Sequence, residues 1–145
     1  MAVMSEIQRV LESFPAKKVN QEMQPSNIEA GLNSPTFSEI PDLFFDYILQ
    51  EYKLSRLDIQ LLLFLYRQVW CFPNLHKKYG IGQLNNLKEV AEHFSTDFNS
   101  LHNSLQKLES YEFISTIRLG QYFVRRFFTP EWDFHFSQSY DDFLD

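Results

Sequence analysis

The sequence contains only one cysteine, Cys71, and four glycines among its 145 residues. A lone cysteine cannot form an internal disulfide, which fits a reducing cytoplasm. Few glycines leave few positions for tight turns, whereas 44% of the residues are hydrophobic and 17% are aromatic. This composition predicts one domain of ordinary size with a mainly helical core.

Signals for membrane insertion and export are missing. No apolar run approaches the roughly 18 residues that a membrane span needs, and the longest extends from Leu61 to Tyr66. The N-terminal stretch carries Glu6, Arg9 and Glu12 and has no apolar segment long enough for a signal peptide. We therefore expect a soluble cytoplasmic protein without a membrane partner.

Motifs for catalysis and metal binding are also missing. The four histidines show no metal-ligand spacing, and the single cysteine gives no partner for a zinc cluster. These histidines are His76, His93, His102 and His135. The chain has no glycine-rich phosphate loop, no GxSxG sequence and no carboxylate pair tied to a histidine in a recognisable order. We expect neither enzymatic activity nor a cofactor nor a metal.

The net charge of -6 argues against nucleic acid as a partner, because phosphate neutralisation is the main source of such affinity. The distribution of the charges changes this interpretation. Residues 1–36 carry three basic and four acidic residues, residues 37–129 carry ten of each, and residues 130–145 carry five acidic and no basic residues. The central part of the chain is therefore not acidic.

The same three ranges are the predicted domain organisation. Residues 1–36 combine a short helix, capped by Ser5, with a polar linker that cannot offset its own ordering entropy. A homodimer that forms through contacts of this helix is one hypothesis for the oligomeric state. Residues 37–129 form the domain, with its boundary near Pro35, and residues 130–145 form an acidic aromatic tail.

The pattern of apolar residues predicts the elements of the domain. The predicted order is a helix over 41–53, a buried central helix over 57–70, a short extended piece over 81–84, helices over 87–94 and 98–111, and strands over 113–119 and 121–128. Ser55, Asn86 and Asp97 are placed to cap three of these helices. The two strands join at Gly120 as a hairpin. This order predicts a mainly α (α+β) winged helix-turn-helix domain, with the C-terminal β-hairpin as its wing.

The stretch LKEVAEHFSTDFNSLHNSLQKLESYEFIS, residues 87–115, resembles the helix-turn-helix of winged-helix regulators and replication proteins without a gap. Ala91 stands where the motif needs a small residue, and Leu101 stands at the buried position of the recognition helix. The sequence departs from the pattern at Ser95 and Glu112, where related sequences often have glycine.

The segment IPDLFFDYILQEYKLSRLDIQLLLFLYRQVW, residues 40–70, resembles the start of the winged-helix domain in phage and plasmid replication initiators. These include the O-type proteins of lambdoid phages and relatives of the primosomal DnaD family. The matching residues are Ile40, Pro41, Leu54, Ser55, Arg67 and Trp70. The resemblance covers about residues 37–119 and implies a DNA-binding role in replication or transcription regulation.

In such a fold the recognition helix enters the major groove and reads base edges with its exposed side chains. The outward candidates are Asn99, Ser100, His102, Asn103, Gln106 and Lys107. Asparagine and glutamine can bond adenine with two hydrogen bonds, and Lys107 can meet a phosphate. A solvated polar face is an equally good interpretation, because no arginine lies on this surface.

Three arginines are candidates for holding the wing on a phosphate backbone. Arg118 precedes the hairpin turn, and the adjacent Arg125 and Arg126 lie near the end of the second predicted strand. Neighbouring strand residues point to opposite faces, so only one of the adjacent pair can face DNA. Protection of an edge strand by charge is the alternative.

The tail has acidic residues interspersed among its aromatic residues, which are Trp132, Phe134, Phe136, Tyr140 and Phe143. Alternating aromatic residues in its first half are typical of an extra strand packed on the domain, followed by a solvated end. Alternatively, the tail docks on a protein partner, or it folds back over the wing and mimics DNA.

Our leading hypothesis is a non-enzymatic protein that binds double-stranded DNA, of the replication-initiator or transcriptional-regulator type. The alternative is a winged helix used for protein contacts, as an adaptor or assembly component. The neutral domain, the recognition helix without arginine and the acidic tail favour this alternative.

Overall fold

The computed structural model of the chain describes residues 34–84, 86–118 and 120–141. The residues divide into two compact units, Met1–Ser38 and Glu39–Asp145, and the second unit holds all the helices and strands given below. The short helix predicted near the N-terminus lies outside the described residues. The same is true of most of the predicted linker and of the end of the tail.

Five helices lie within the described part of the second unit. They are α1, π-helical over Phe44–Ile48 and α-helical over Leu49–Glu51; α2, α-helical over Arg56–Tyr66 and π-helical over Arg67–Cys71; α3, Leu87–His93; α4, Phe98–Ser110; and α5, Pro130–His135. A single 3-10 turn, Lys77–Tyr79, precedes the first strand. The first four helices occur where the apolar periodicity predicts them.

Side-chain caps fix where α2, α3 and α4 begin. The hydroxyl of Ser55 accepts from the N–H of Asp58, and the carboxylate of Asp58 accepts from the N–H of Ser55, so the predicted capping box is present. Asn86 caps α3 and Asp97 caps α4 through oxygens that accept N–H groups of the first turn. Each cap satisfies donors that the helix itself leaves unpaired.

Three antiparallel strands form the sheet, in the order β1-β3-β2. They are β1, Ile81–Gln83; β2, Ile114–Arg118; and β3, Gln121–Val124. The predicted hairpin is confirmed, and Gly120 supplies the left-handed φ of 81° at its turn. Both strands are shorter than predicted, and the second ends at Val124 because the next residues turn towards α5.

The core surrounds α2. Five of its side chains are almost completely buried: Leu61, Leu62, Leu65, Tyr66 and Val69. Phe44 from α1, Leu101 and Leu108 from α4, and Phe113 join the same cluster. Burying a large apolar side chain contributes about 1.5–3 kcal/mol. The prediction of a buried central helix is therefore confirmed, and α2 is the element that the others cover.

The expectation of an extra strand after Pro130 is wrong, because residues 130–135 form α5. The side chain of Thr129 accepts from the N–H of Trp132, and Pro130 occupies the first helical turn, where its missing N–H costs nothing. The alternation of aromatic residues suggested a strand, but the capping residues before them decide for a helix.

Helices α3, α4 and α5 end in the same way. Ser95, Glu112 and Ser137 follow them with φ values of 55°, 68° and 57°, in the left-handed region. After α4, the N–H of Glu112 donates to the carbonyl of Glu109, and the next N–H donates to the carbonyl of Leu108. This is the Schellman arrangement, which favours glycine. Ser95 and Glu112, the two positions at which the sequence departs from the expected glycine, therefore adopt the left-handed conformation that favours glycine.

Replacing these residues with glycine tests the local strain. We expect Ser95→Gly and Glu112→Gly each to leave the free energy of unfolding unchanged or to raise it by up to about 1 kcal/mol, because glycine has no Cβ clash at positive φ. Glu89→Gly, at an exposed position inside α3, is the matched control and lowers the free energy by about 1 kcal/mol. Urea denaturation followed by circular dichroism measures all three. A loss of 1 kcal/mol or more in the first two variants would contradict the strain argument.

Candidate nucleic-acid interface

One face of α4 is polar and exposed. Asn99, His102, Asn103 and Gln106 are spaced as i, i+3, i+4 and i+7, which places them side by side on one side of the helix. All four are exposed, whereas the opposite side carries the buried leucines. We call these four residues the α4 face. Ser100 is half-buried and donates its N–H to the cap Asp97.

Lys107 is engaged inside the domain. Its Nζ lies 2.7 Å from Oδ2 of Asp58 on α2, and the lysine side chain is only 37% exposed. This ion pair occupies the ammonium group for which the sequence predicts a phosphate contact. Four of the six candidates on the helix therefore make up the α4 face, while Ser100 and Lys107 serve the fold.

The carboxylate of Asp58 joins α2 to α4 through several bonds. Besides the ion pair, Oδ1 accepts from the hydroxyl of Ser104 at 2.6 Å, and Oδ2 accepts from the N–H of Ser55 at 2.8 Å. Burial by itself raises the pKa of Asp58, but the bonds from Lys107, Ser104 and Ser55 outweigh it and lower the pKa below its ordinary value. Asp58 is thus held ionised although it is only 3% exposed.

Asp58→Asn tests this network. The substitution removes the charge that pairs with Lys107, and we expect it to lower the free energy of unfolding at neutral pH by roughly 2–3 kcal/mol. Because the folded pKa of Asp58 is lowered, its contribution is complete above the unfolded pKa of about 3.9 and disappears as the pH falls through the folded value. The gap between wild type and variant should therefore narrow below about pH 4.

The exposed Asp46 of α1 provides the matched control for Asp58. Asp46→Asn should change the free energy of unfolding by no more than about 0.5 kcal/mol. Urea titrations between about pH 2.5 and pH 7 cover the relevant range. Equal effects of the two substitutions at neutral pH would show that the Asp58 network does not stabilise the fold.

The three hairpin arginines do not form one patch. Arg118 is exposed and ends β2 beside the turn, where it pairs with Gln121. Arg125 and Arg126 follow β3 at the hairpin base, the opposite end, where Ile114 pairs with Val124. Arg125 lies four positions after Gln121, which is about 13 Å along an extended chain. Since β3 ends before Arg125, the expected alternation of strand faces does not apply to the two adjacent arginines.

Arg125 makes structural contacts at the hairpin base. Its Nη1 lies 3.1 Å from Oδ2 of Asp133, and its Nε donates to the carbonyl of Glu112 at 3.1 Å. Arg126 is exposed, and its guanidinium lies over the rings of Trp70 and Phe127 at 5.7 and 5.6 Å. The predicted phosphate contact of Arg125 therefore competes with a buried partner, whereas Arg126 remains on the surface.

Asp133 also fixes the C-terminal segment to the domain. Its Oδ2 accepts from the hydroxyl of Tyr140 at 2.7 Å, and its Oδ1 accepts from the N–H of Phe127 at 3.0 Å. The Tyr140 ring packs edge-on against Phe123, with 4.8 Å between ring centroids. Burial raises the pKa of Tyr140, so its hydroxyl stays protonated and donates. Residues 130–141 thus fold back onto the hairpin base.

The adjacent arginines provide a sharp comparison. Arg125→Ala leaves the buried Asp133 without its cation, so we expect the free energy of unfolding to fall by about 2 kcal/mol or more. Arg126→Ala removes only exposed contacts and should cost less than about 1 kcal/mol. Chemical denaturation at neutral pH measures both variants. Similar losses from the two substitutions would contradict the assignment of Arg125 to the structure.

A groove opens where the hairpin turn meets the starts of α3 and α4. Its volume is about 590 Å³, and its lining residues are Gln83, Leu84, Asn86, Leu87, Lys88, Phe98 and Gly120. Phe98 is 47% exposed, and its ring is nearly parallel to that of His102, with 6.2 Å between centroids and 8° between planes. Lys88 is exposed in the first turn of α3.

Sequence reasoning missed Lys88 and Phe98 as surface residues of this site. Lys88 is the only lysine or arginine in α3, and a cation at the start of this helix was the signal to follow. Phe98 is the first residue of α4 and precedes Leu105 by seven positions, so helical periodicity groups it with the buried leucines and gave no signal of its 47% exposure. The site therefore includes the α4 face, Phe98, Lys88 and Arg118.

Within the described ranges, no group of three or more histidine, cysteine, aspartate or glutamate side chains is placed to hold a metal ion. No helix in this part of the chain is long and apolar enough to cross a membrane. Comparisons of the chain with protein-family models, with curated proteins and with solved structures give no match. The resemblance to replication initiators therefore stays a prediction from the residues that carry it.

Proposed function

We propose that the second unit is a winged helix-turn-helix domain that binds double-stranded DNA without enzymatic activity, as a replication initiator or transcriptional regulator. In this proposal α2, α3 and α4 are the three helices of the domain, α4 is the recognition helix, and β2 and β3 form the wing. The order helix, strand, two helices and hairpin supports it, as does the tight turn at Ser95 between α3 and α4.

The observation that carries the proposal is the α4 face. A recognition helix needs a row of exposed polar side chains that reach base edges, and the α4 face has four such residues and no acidic one. From Asn99 to Gln106 this row extends about 10 Å, at 1.5 Å per residue. That length matches about three base pairs at 3.4 Å each.

The surroundings of the α4 face suit a phosphate backbone. The groove brings the hairpin turn at Gly120, the start of α3 and the start of α4 to one edge of the domain. Lys88 lies at the start of α3, and Arg118 lies beside the hairpin turn. Each can therefore contact a backbone phosphate beside the DNA groove that α4 would enter. With Lys107 and Arg125 engaged internally, few cations remain, and one copy should bind non-specific duplex only in the range of about 1–100 μM.

Salt dependence tests the proposal. Binding of a labelled mixed-sequence duplex of about 20 base pairs is followed by fluorescence anisotropy between about 20 and 200 mM salt. Wild type should lose affinity as salt rises, and Lys88→Ala with Arg118→Ala should reduce the slope of log K against log salt by about 2, since each phosphate contact contributes about 0.9.

Lys77→Ala is the matched control, because Lys77 is exposed on the 3-10 turn that precedes β1, towards the hairpin base. This variant should keep the wild-type slope. Absence of binding at the lowest salt, with the protein folded, would reject the proposed DNA binding. If the slope of log K against log salt changes equally in all variants, DNA binding depends on the overall charge of the protein and not on Lys88 and Arg118.

One observation favours the alternative of a protein-contact module. Aromatic side chains of α1 and α5 are exposed together: Tyr47 lies 4.9 Å from Trp132 between ring centroids, and Phe134 is 87% exposed. Exposed apolar patches mark interaction sites, and aromatic residues are enriched in protein–protein interfaces. If no duplex binds at low salt, this alternative becomes the leading hypothesis for the domain.

A further inference from the structure

The hydrogen-bonding groups of the α4 face are three amides and the imidazole of His102. Asn99, Asn103 and Gln106 each offer one acceptor and one donor group, which match N6 and N7 of adenine in the major groove. Guanine presents two acceptors there and is read by arginine or lysine with two donors. The only cationic side chain of α4, Lys107, is paired with Asp58. The helix therefore has matched partners for adenine and no available cation for guanine.

Phe98 adds a contact for the other base of the same pair. It is the first residue of α4, and the N-terminal residues of a recognition helix are those that contact base edges. An exposed phenylalanine can make apolar contact with the methyl group of thymine, which guanine and cytosine lack. Its near-parallel stacking on His102 holds the ring beside the α4 face.

We propose that the α4 face and Phe98 read A·T base pairs in the major groove, with the amides on adenine and the Phe98 ring on the thymine methyl group. This inference rests on the proposed DNA binding and names the class of base pair that the site selects. A good bidentate pair discriminates by about 1–3 kcal/mol, which corresponds to about 5–150-fold in affinity.

The first experiment compares duplexes of equal length and either A·T or G·C composition, at one low salt concentration, by fluorescence anisotropy. We expect wild type to bind the A·T duplex at least about fivefold more tightly. Equal affinity for both duplexes would overturn the A·T inference and leave the proposed function intact. Absence of binding to either duplex would overturn the proposed function and the inference together.

Base analogues then locate the contacts. Deoxyuridine in place of thymidine removes the methyl group, and 7-deazaadenine removes N7, and both changes lie in the major groove. Each analogue should weaken wild-type binding by about threefold or more. Phe98→Ala should bind thymidine and deoxyuridine duplexes equally, and Asn103→Ala should be less sensitive to 7-deazaadenine than wild type, because only Asn99 and Gln106 then remain to contact adenine. Gln50→Ala, an exposed amide of α1, is the control and should respond as wild type does.

The outcomes separate major-groove reading from recognition of duplex shape. A·T-rich DNA has a narrow minor groove that proteins can bind without reading major-groove atoms. A preference for A·T that is insensitive to both analogues would therefore overturn the assignment to the α4 face. Circular dichroism confirms that each variant is folded. Phe98→Ala and Asn103→Ala test contacts with different bases, so if one variant does not fold, the other still tests the inference.

Discussion

The buried carboxylate of Asp58 joins α2 to α4, and the arrangement of the rest of the domain depends on how these two helices pack. It closes the first turn of α2 by accepting the N–H of Ser55, and on its other side it meets Ser104 and Lys107 of α4. A buried charge is costly unless it is paired and fully hydrogen-bonded, so α4 must sit where its hydroxyl and ammonium reach this carboxylate. The rotation of α4 on α2 is therefore fixed, and with it the set of α4 side chains that faces outward.

Two ion pairs with buried carboxylates determine which side chains remain exposed for binding. Lys107 is the only cation of α4, and Asp133 likewise engages Arg125 at the hairpin base. Both side chains belong to the fold, which leaves amides, an imidazole and a phenylalanine ring exposed on α4. Specificity in a proposed complex then comes from base contacts, while the phosphate contribution rests on a few cations such as Lys88 and Arg118.

Local features of the structure follow from the sequence, and long-range pairings do not. The caps at Ser55, Asn86 and Asp97 and the turn at Gly120 depend on residues within one turn of each other, so composition and spacing predict them. The contact of Ser104 with Asp58 joins residues 46 positions apart, and no local pattern encodes it. The sequence therefore predicts which residues occupy α4 but not which of its polar side chains are engaged.

The start of α5 shows how two local signals compete. Aromatic residues at 132, 134 and 136 alternate as in a strand, but Thr129 and Pro130 are a cap and a first-turn residue that favour a helix. In a helix Asp133 can point inward to Arg125 while its neighbour Phe134 points outward. The Phe134 side chain is 87% exposed. Periodicity over three aromatic residues is too short to outweigh the capping residues before it.

Two acidic groups of the C-terminal segment, for which one expectation was a fold-back over the hairpin, lie at the hairpin base. Of its described acidic residues, Asp133 is buried against Arg125, and Asp141 lies 3.5 Å from Lys78 next to β1. These contacts lie at the hairpin base, whereas the groove and Phe98 lie at the turn end. Charges on opposite ends of a domain act on a bound phosphate only weakly once separated by more than a Debye length of about 10 Å. The net charge of -6 therefore describes the whole chain and says little about the potential at the α4 face.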